Sequence, residues 1–193
     1  MTTQLPRIYL AGPEVFLPNA PEVGRDKVRL ALTAGFDGVF PLDPSLEIKG
    51  LPKLEQARRI SLANEALMRS CDLLIANLTP FRGVSMDAGT AFEVGFMRAL
   101  GRPVLGYSNA ITDYRSRAEA LRTRGFLAGD ADGPAIEIED FDLAENLMIE
   151  VAILESGGSV VRTSVAPGTG MTDLRGYMQS LEQAKRLLAV IGN

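Results

Sequence analysis

The chain has 193 residues, of which 46% are hydrophobic and 23% are charged, with a formal net charge of −4 and an isoelectric point near 5.0. These values are typical of one soluble globular domain, and they argue against a nucleic-acid-binding surface, which normally carries an excess of basic residues. The sequence contains no histidine. This excludes Ser-His-Asp and Cys-His catalysis and every histidine-ligated metal site.

Neither a membrane segment nor a disulfide is expected. No apolar run approaches the roughly 20 residues of a membrane span, and the N-terminus lacks the charged-then-apolar layout of a signal peptide. The single cysteine, Cys71, excludes an internal disulfide and fits a reducing compartment, so we expect a cytoplasmic protein. Because Cys71 stands just before a strongly apolar run, we expect it to pack rather than to act as a nucleophile.

Hydrophobic periodicity predicts strands that alternate with helices along the chain. The predicted strands are residues 7–11, 36–41, 73–78, 103–107 and 135–138. The predicted helices are residues 20–34, residues 54–70, a segment that is entered through Glu93 and ends near Gly101, and residues 172–190. This alternation implies an α/β fold with one domain: a flavodoxin-like or Rossmann-like parallel sheet of about five strands, flanked by helices and joined by right-handed crossovers.

Two carboxylates, Asp87 and Glu93, stand six residues apart where a loop becomes a helix, directly after the predicted strand 73–78. Ligands of open parallel sheets bind at the carboxyl ends of the strands, so acids at this point indicate chemistry on a small molecule. Thr90 and Glu93 also have the spacing of a helix capping box. The two interpretations, capping and catalysis, do not exclude each other.

The loop after the first predicted strand contains only Gly12, followed by Pro13. It lacks the G-x-G-x-x-G fingerprint of dinucleotide-binding proteins, and the Walker pattern is also missing. We therefore expect neither a nicotinamide nor an ATP enzyme, and we predict no cofactor and no metal.

Four separated segments resemble the nucleoside 2-deoxyribosyltransferase family and occur in the expected order: residues 8–16, 71–83, 87–95 and 145–148. The resemblance covers about residues 7–155. We therefore expect a deoxyribosyltransferase-like domain in residues 1–155, with residues 156–193 adding a loop and a helix that pack on it. The resemblance implies exchange of the base of a 2′-deoxynucleoside by a retaining double displacement through a covalent deoxyribosyl-enzyme. The implied partners are deoxynucleosides and free bases.

The resemblance also implies roles for individual residues. Glu93 corresponds to the nucleophile, Asp87 to an acid that holds sugar hydroxyls, and Tyr9 to a tyrosine that orients the nucleophile. Asn146 and Met148 correspond to residues that a neighbouring subunit contributes to the sugar pocket, which implies a homo-oligomer with shared sites. The other expected substrate-binding residues are Gly12, Asn64, Phe81 and Arg82.

General chemistry agrees with these roles. Glycosidic cleavage passes through an oxocarbenium-like state, and retention requires a carboxylate close to the anomeric carbon. We expect the helix N-terminus to keep Glu93 anionic at neutral pH. Judged without the resemblance, Tyr9 also fits strand packing and Asn146 also fits a helix N-cap.

One position departs from the family pattern. Some relatives carry an Asp eight residues before Asp72, where this chain has Asn64. An amide cannot protonate a leaving base, so the proton must come from solvent or from another acid such as Glu14, Asp43 or Glu65. We expect purines to be exchanged faster than pyrimidines, because purines offer several basic ring nitrogens to solvent.

Two other functions stay open. One is a hydrolase with the same site that acts on deoxynucleosides or on their 5′-monophosphates. The residues Gly89, Thr90 and Glu93 are similar to an element of nucleotide phosphoribohydrolases, but the double-glycine phosphate loop that precedes it there is missing. The other is a nucleotide-binding module without catalysis.

Overall fold

The computed structural model describes residues 4–42, 46–125 and 136–191 of the chain. Their centre is a five-stranded parallel sheet with the strand order β2-β1-β3-β4-β5. The strands are β1 (Arg7–Ala11), β2 (Asp37–Val39), β3 (Leu73–Asn77), β4 (Val104–Ser108) and β5 (Val160–Arg162). The α-helices in the described residues are α1 (Ala20–Thr33), α2 (Lys53–Arg69), α3 (Ala88–Ala99), α4 (Tyr114–Thr123), α5 (Leu147–Glu155) and α6 (Arg175–Ile191).

Helices cover both faces of the sheet, and the side chains of β3 and β4 are therefore buried along their whole length. Successive residues of a strand point to opposite faces, so β1 contributes to two separate cores. Ile8 and Leu10 pack on the face covered by α1 and α6, whereas Tyr9 and Ala11 pack on the face covered by α2, α3 and α5. This alternation puts the Tyr9 side chain on the same side of the sheet as α3.

The α/β class and the five-stranded parallel sheet predicted from the sequence are confirmed, but the fifth strand was wrongly located. Residues 136–138 are not in a strand, and residue 135 lies outside the described residues. The fifth strand is β5, which pairs with β4 through Gly106 to Ser108. A three-residue strand is too short to show an alternating pattern.

The residues before β5 also hide the strand in the sequence, because two successive glycines, Gly157 and Gly158, are typical of a connecting loop. A Cβ atom on Gly158 would lie 1.7 Å from the carbonyl oxygen of Val104. Glycine therefore permits the close approach of the chain to β4 at this point. The sequence analysis also did not predict α4, and it considered the start of α5 only as a possible N-cap at Asn146. Among the described residues, no helix has both the length and the hydropathy needed to cross a bilayer.

Candidate active site

A crevice lies between the carboxyl ends of β1 and β3. The chain leaves β1 to form β2 on one side of it and later returns to form β3 on the other side. Such a reversal of strand order is where open α/β sheets bind their ligands. The loops that follow β1 and β3 begin here, at Gly12 and Leu78, and the second of these loops leads into α3.

Asp87 is the N-cap of α3. Its Oδ2 accepts a hydrogen bond of 3.1 Å from the backbone N–H of Thr90, and the helix begins at Ala88. The capping-box interpretation of Thr90 and Glu93 was therefore wrong: the cap lies three residues earlier, and Glu93 stands in the second turn. Asp87 Oδ1 has no hydrogen bond within the described part of the chain.

The loop before α3 is fixed by the buried carboxylate of Glu145. This carboxylate accepts hydrogen bonds from the Ser85 hydroxyl and, at 3.0 Å, from the backbone N–H of Met86. Arg117 of α4 donates to the same carboxylate at 3.2 Å. The catalytic candidates on α3 are thus tied to the segment that precedes α5, a contact that the sequence analysis did not foresee.

Tyr9 and Glu93 meet across the face of the sheet. Tyr9 is fully buried on β1, and its Oη donates a hydrogen bond of 2.6 Å to Glu93 Oε1. Burial raises the pKa of Tyr9 far above its ordinary value, so its hydroxyl stays protonated and remains a donor. This hydrogen bond is the contact that an orienting tyrosine would make, and the role itself stays a prediction.

Burial raises the pKa of Glu93 to about 7, from an ordinary value of 4.5. The hydrogen bond from Tyr9 opposes this shift, whereas the negative charges of Asp87 and Glu14 add to it. The expectation that the helix N-terminus keeps Glu93 anionic at neutral pH was therefore too simple. The influence of a helix terminus fades within the first turn, and Glu93 lies beyond it.

A cavity of about 400 Å³ opens beside Glu93 between α2 and α3. Pockets of this order accommodate small organic ligands. The described residues that line it are Ala57, Ile60, Ser61, Asn64, Met68, Gly89, Phe92 and Glu93. Asn64 and Glu93 thus line the same cavity, and Glu93 is the ionisable group among the described residues of this lining. The base-contacting role of Asn64 stays a prediction.

Sequence reasoning missed Ile60, Ser61 and Phe92 as cavity residues. Ile60 and Ser61 precede Asn64 by about one helical turn, so the face of α2 that carries Asn64 also carries them. That spacing was available in the sequence as a signal.

A larger groove of about 690 Å³ lies elsewhere, between α1 and the edge strand β2. None of the predicted site residues lines it. Its carboxylate, Asp37, is engaged in an ion pair of 2.9 Å with Arg7. We therefore take the smaller cavity beside Glu93 as the candidate active site.

Gly12 lies at the exit of β1, and it is buried. A Cβ atom there would stand 1.9 Å from Glu14 Oε2 and 2.9 Å from the Asn77 Cβ. The absence of a side chain therefore allows the turn after β1 to pack against the end of β3. In this structure, Gly12 has a packing role, and it is not among the described residues that line the cavity.

Phe81 and Arg82 form a cluster with Phe16 beside the crevice. The rings of Phe16 and Phe81 stack with centroids 5.6 Å apart, and the Arg82 guanidinium lies 4.8 Å and 4.5 Å from their respective centroids. Arg82 adopts a φ of +57°, which is uncommon for a residue with a side chain. Phe81 and Arg82 are not in the described lining of the cavity.

Asn146 is the N-cap of α5, one of the two interpretations that the sequence allowed. Its Oδ1 accepts from the backbone N–H of Met148 at 2.9 Å, and its Nδ2 donates to Glu139. Met148 is 70% exposed and, like Asn146, is not in the described lining of the same chain's cavity. Their expected role in a neighbour's site stays a prediction.

The other candidate proton donors and the cysteine are poorly placed for chemistry. Glu14 is fully buried, Glu65 is not in the described cavity lining, and Asp43 lies outside the described residues. Cys71 is buried, which raises its pKa to about 11 and agrees with a packing role. The described residues contain no cluster of acids and cysteine suited to a metal ion.

The raised pKa of Glu93 leads to a prediction about stability. The unfolded chain loses this proton near pH 4.5, the folded chain only near pH 7, so ionised Glu93 destabilises the folded protein above that range. Glu93→Gln should therefore be more stable than the wild type at about pH 8.5, by about 3 kcal/mol, and this gain should vanish below about pH 4.5. Urea unfolding across this pH range measures it.

Glu182→Gln is the matched control, because Glu182 is an exposed carboxylate on α6 with no burial penalty to relieve. It should show no comparable gain at high pH. A gain from Glu93→Gln that is the same at both ends of the pH range would contradict the raised pKa.

Comparison with known proteins connects this geometry to a family. The model of the nucleoside 2-deoxyribosyltransferase family matches residues 8–148. An uncharacterised protein of Schizosaccharomyces pombe is 36% identical over an alignment of 173 residues, and the match covers 81% of this chain and 81% of that protein.

Two solved structures are similar to the chain. The 2-deoxyribosyltransferase from Leishmania mexicana is 33% identical, with a TM-score of 0.52 over 75% of this chain and 85% of that one. A conserved protein from Enterococcus faecalis V583 has the same fold at 20% identity, with a TM-score of 0.54 over 94% of this chain and 99% of that one. Since the family match spans well over half of the sequence, the chain belongs to the nucleoside 2-deoxyribosyltransferase family.

Proposed function

We propose that this protein exchanges the base of 2′-deoxynucleosides through a covalent deoxyribosyl intermediate on Glu93. The observation that carries the proposal is the 2.6 Å hydrogen bond between Tyr9 Oη and Glu93 Oε1 at the edge of a cavity of about 400 Å³. It leaves Glu93 Oε2 available for attack on a sugar that occupies the cavity. The single buried cysteine fits a reducing compartment, and we propose that the enzyme works in the cytoplasm.

In the first half-reaction, a carboxylate oxygen of Glu93 forms a bond to C1′ of the deoxyribose. The bond between C1′ and the base nitrogen breaks, and its electron pair leaves with the base. Positive charge develops on the sugar ring in the transition state, and the adjacent carboxylate stabilises it. Because Tyr9 Oη donates to one carboxylate oxygen, it holds the group in one orientation during the attack.

In the second half-reaction, a nitrogen of the incoming base attacks C1′ and the Glu93 carboxylate leaves with the electron pair of the ester bond. The incoming base loses its proton to solvent. Two inversions at C1′ give overall retention. If water attacks instead, the product is free 2-deoxyribose, which is the hydrolase activity that the sequence left open.

Asp87 is suited to hold a sugar hydroxyl. Its Oδ2 caps α3, which fixes the side chain, while Oδ1 has no hydrogen bond within the described residues. A carboxylate oxygen held in this way can accept from one hydroxyl without losing its structural role.

The leaving base would be protonated by solvent. Asn64 stands on α2 at the position where some relatives carry an Asp, and it lines the cavity. Its carboxamide can both donate to and accept from a base edge, but it cannot act as an acid. We therefore retain the preference for purines, whose ring nitrogens are protonated without help from the protein.

We further propose a homo-oligomer in which Asn146 and Met148 complete the cavity of a neighbouring subunit. Large apolar side chains are exposed on α3 and α5, the helices that would border such an interface. Phe92 is 57% exposed, Met148 is 70% exposed, and Leu154 is 48% exposed. Apolar surface of this kind on neighbouring helices is typical of protein contacts.

The central test concerns Glu93. Glu93→Gln and Glu93→Ala should reduce exchange of deoxyinosine with free adenine by about a thousandfold or more, because no covalent intermediate can form. Glu182→Gln, which changes an exposed carboxylate far along the chain, should keep wild-type activity. Chromatography of the products, with and without the second base, also separates exchange from hydrolysis. A folded Glu93→Gln protein with near-normal turnover would overturn the assignment.

The shared site can be tested by mixing inactive proteins. Glu93→Ala lacks the nucleophile, and Asn146→Ala lacks the group that a neighbour is proposed to need. A mixture of the two, after exchange of subunits, should regain activity because some interfaces then combine an intact Glu93 with an intact Asn146. Sedimentation that finds a fully active monomer would refute the shared site.

The substrate range tests the sugar and base assignments together. Deoxyadenosine and deoxyinosine should react faster than thymidine, because Asn64 supplies no proton. Adenosine should react poorly, since its 2′-hydroxyl would have to fit beside Glu93. Initial rates with these four nucleosides decide both points. Faster turnover of thymidine would contradict the role given to Asn64, and efficient turnover of adenosine would contradict the sugar preference.

A further inference from the structure

A second carboxylate, Glu14, lies buried behind the site and is not used in the reaction described above. It stands in the 3-10 turn Pro13–Phe16, directly after β1, and it is fully buried. Its Oε1 accepts three hydrogen bonds, from Lys27 Nζ at 2.8 Å, from Tyr107 Oη at 2.8 Å and from Asn77 Nδ2 at 3.1 Å. One oxygen atom therefore joins the turn to α1, β4 and β3.

The positive partner is held equally firmly. Lys27 is fully buried on α1, and its ammonium lies 5.7 Å from the ring centroid of Tyr107 and 5.1 Å from that of Tyr177. Tyr177, on α6, donates its hydroxyl to the Lys27 backbone carbonyl at 2.9 Å. The ion pair thus has a fixed position relative to the sheet.

Stability alone does not explain this arrangement. The burial of an ion pair has a large unfavourable desolvation free energy. Replacement of such a pair by well-packed apolar residues often leaves the stability of a protein unchanged or increases it. In addition, Glu14 Oε2 is buried without a hydrogen-bond partner within the described residues, which is unfavourable for the folded state. A charge kept at this cost suggests a use outside packing.

The position of Glu14 links it to the reactive carboxylate. β1 carries Tyr9, which holds Glu93, and Glu14 follows on the same segment. Across the crevice, Asn77 donates to Glu14 and accepts at 3.0 Å from the backbone N–H of Thr79, where the loop toward α3 begins. Glu14 therefore joins the starts of both loops that border the crevice.

Glu14 also acts on Glu93 through its charge. The groups that influence the pKa of Glu93 are Tyr9 from β1, Asp87 from the loop before α3, Glu14 from the turn and Lys27 from α1. The negative charge of Glu14 raises that pKa, and Lys27 lowers it by less. Together, the two charges of the buried pair therefore raise the pKa of Glu93.

We propose that Glu14 is a positioning residue for the nucleophile: anchored by Lys27, it fixes the two loops of the crevice and acts on Glu93 through the negative charge of its carboxylate. A carboxylate next to a fixed negative charge is more basic, and therefore more reactive toward C1′ once it is ionised. This inference rests on the proposed role of Glu93 as nucleophile.

The test uses Glu14→Gln, which keeps the shape of the side chain and an oxygen for Lys27 but removes the charge. The first measurement needs no substrate: the stability gain from Glu93→Gln is followed against pH in the wild-type and in the Glu14→Gln background. Removal of the negative neighbour should lower the pKa of Glu93 in the folded chain. The midpoint of this gain, which lies between the pKa of the unfolded and that of the folded chain, should therefore move to lower pH, and the gain at high pH should be smaller. The midpoint of the acidic limb of the pH profile of kcat/KM for base exchange should move in the same direction.

Glu145→Gln is the matched control. Glu145 is also a buried carboxylate that anchors the loop before α3, but its charge is not among the largest influences on the pKa of Glu93. Whatever its effect on rate, Glu145→Gln should leave both midpoints where they are in the wild type. A merely structural role for Glu14 would likewise lower the rate at every pH without moving a midpoint.

If Glu14→Gln does not fold, the variant with both Glu14→Gln and Lys27→Met removes the pair together. It should shift the midpoints in the same direction by less, because the influence of Glu14 exceeds that of Lys27. Unmoved midpoints in a folded variant overturn the inference. The stability measurement does not depend on turnover, so it decides whether the charge of Glu14 acts on Glu93 even if the protein has no exchange activity. A folded wild-type protein without exchange activity would refute the proposed function alone.

Discussion

The site depends on one contact, the hydrogen bond from Tyr9 to Glu93. Tyr9 can reach α3 because alternate residues of β1 face opposite sides of the sheet, and its ring fills the core on the side of α3. The contact therefore joins a central strand to the second turn of a helix, two elements whose relative position is fixed by packing. Any movement of α3 against the sheet would break this hydrogen bond, so the orientation of the carboxylate is as rigid as the core.

The burial that fixes the position of Glu93 also disfavours its ionised form, and neighbouring groups partly offset this effect. Tyr9 and Lys27 favour the anion, whereas desolvation and the charges of Asp87 and Glu14 oppose it. The proposed double displacement gives this balance a chemical meaning. In that mechanism the carboxylate attacks C1′ in the first step and leaves it in the second, so a strongly basic group would leave slowly and a weakly basic one would attack slowly. A pKa of about 7 lies between these extremes.

Much of the fold and part of the candidate site could be predicted from the sequence. The physical reasons also explain which elements and contacts were not predicted. Strands β3 and β4 are recognisable as apolar runs because helices cover both of their faces. Asp87 and Glu93 could be identified as site candidates because ligands bind at the carboxyl ends of parallel strands, and both acids follow β3. In contrast, β5 has three residues and no alternating pattern. The pairing of Glu14 with Lys27 was also hidden, because 13 residues separate them and both residue types are normally exposed. The pKa of Glu93 depends on burial, which no local pattern reveals.

Asn146 illustrates how a capping residue can also serve a neighbouring site. A carboxamide has two N–H donors and two acceptor positions. In its own chain, Asn146 uses one acceptor position for the cap of α5 and one donor for Glu139. Within the described residues, one N–H and one acceptor position of the carboxamide are left, and the two hydrogen bonds already made determine where they point. In the proposed oligomer, a sugar hydroxyl of the neighbour would therefore meet an amide that is already oriented. Binding would then cost less conformational entropy than it would with a free surface side chain.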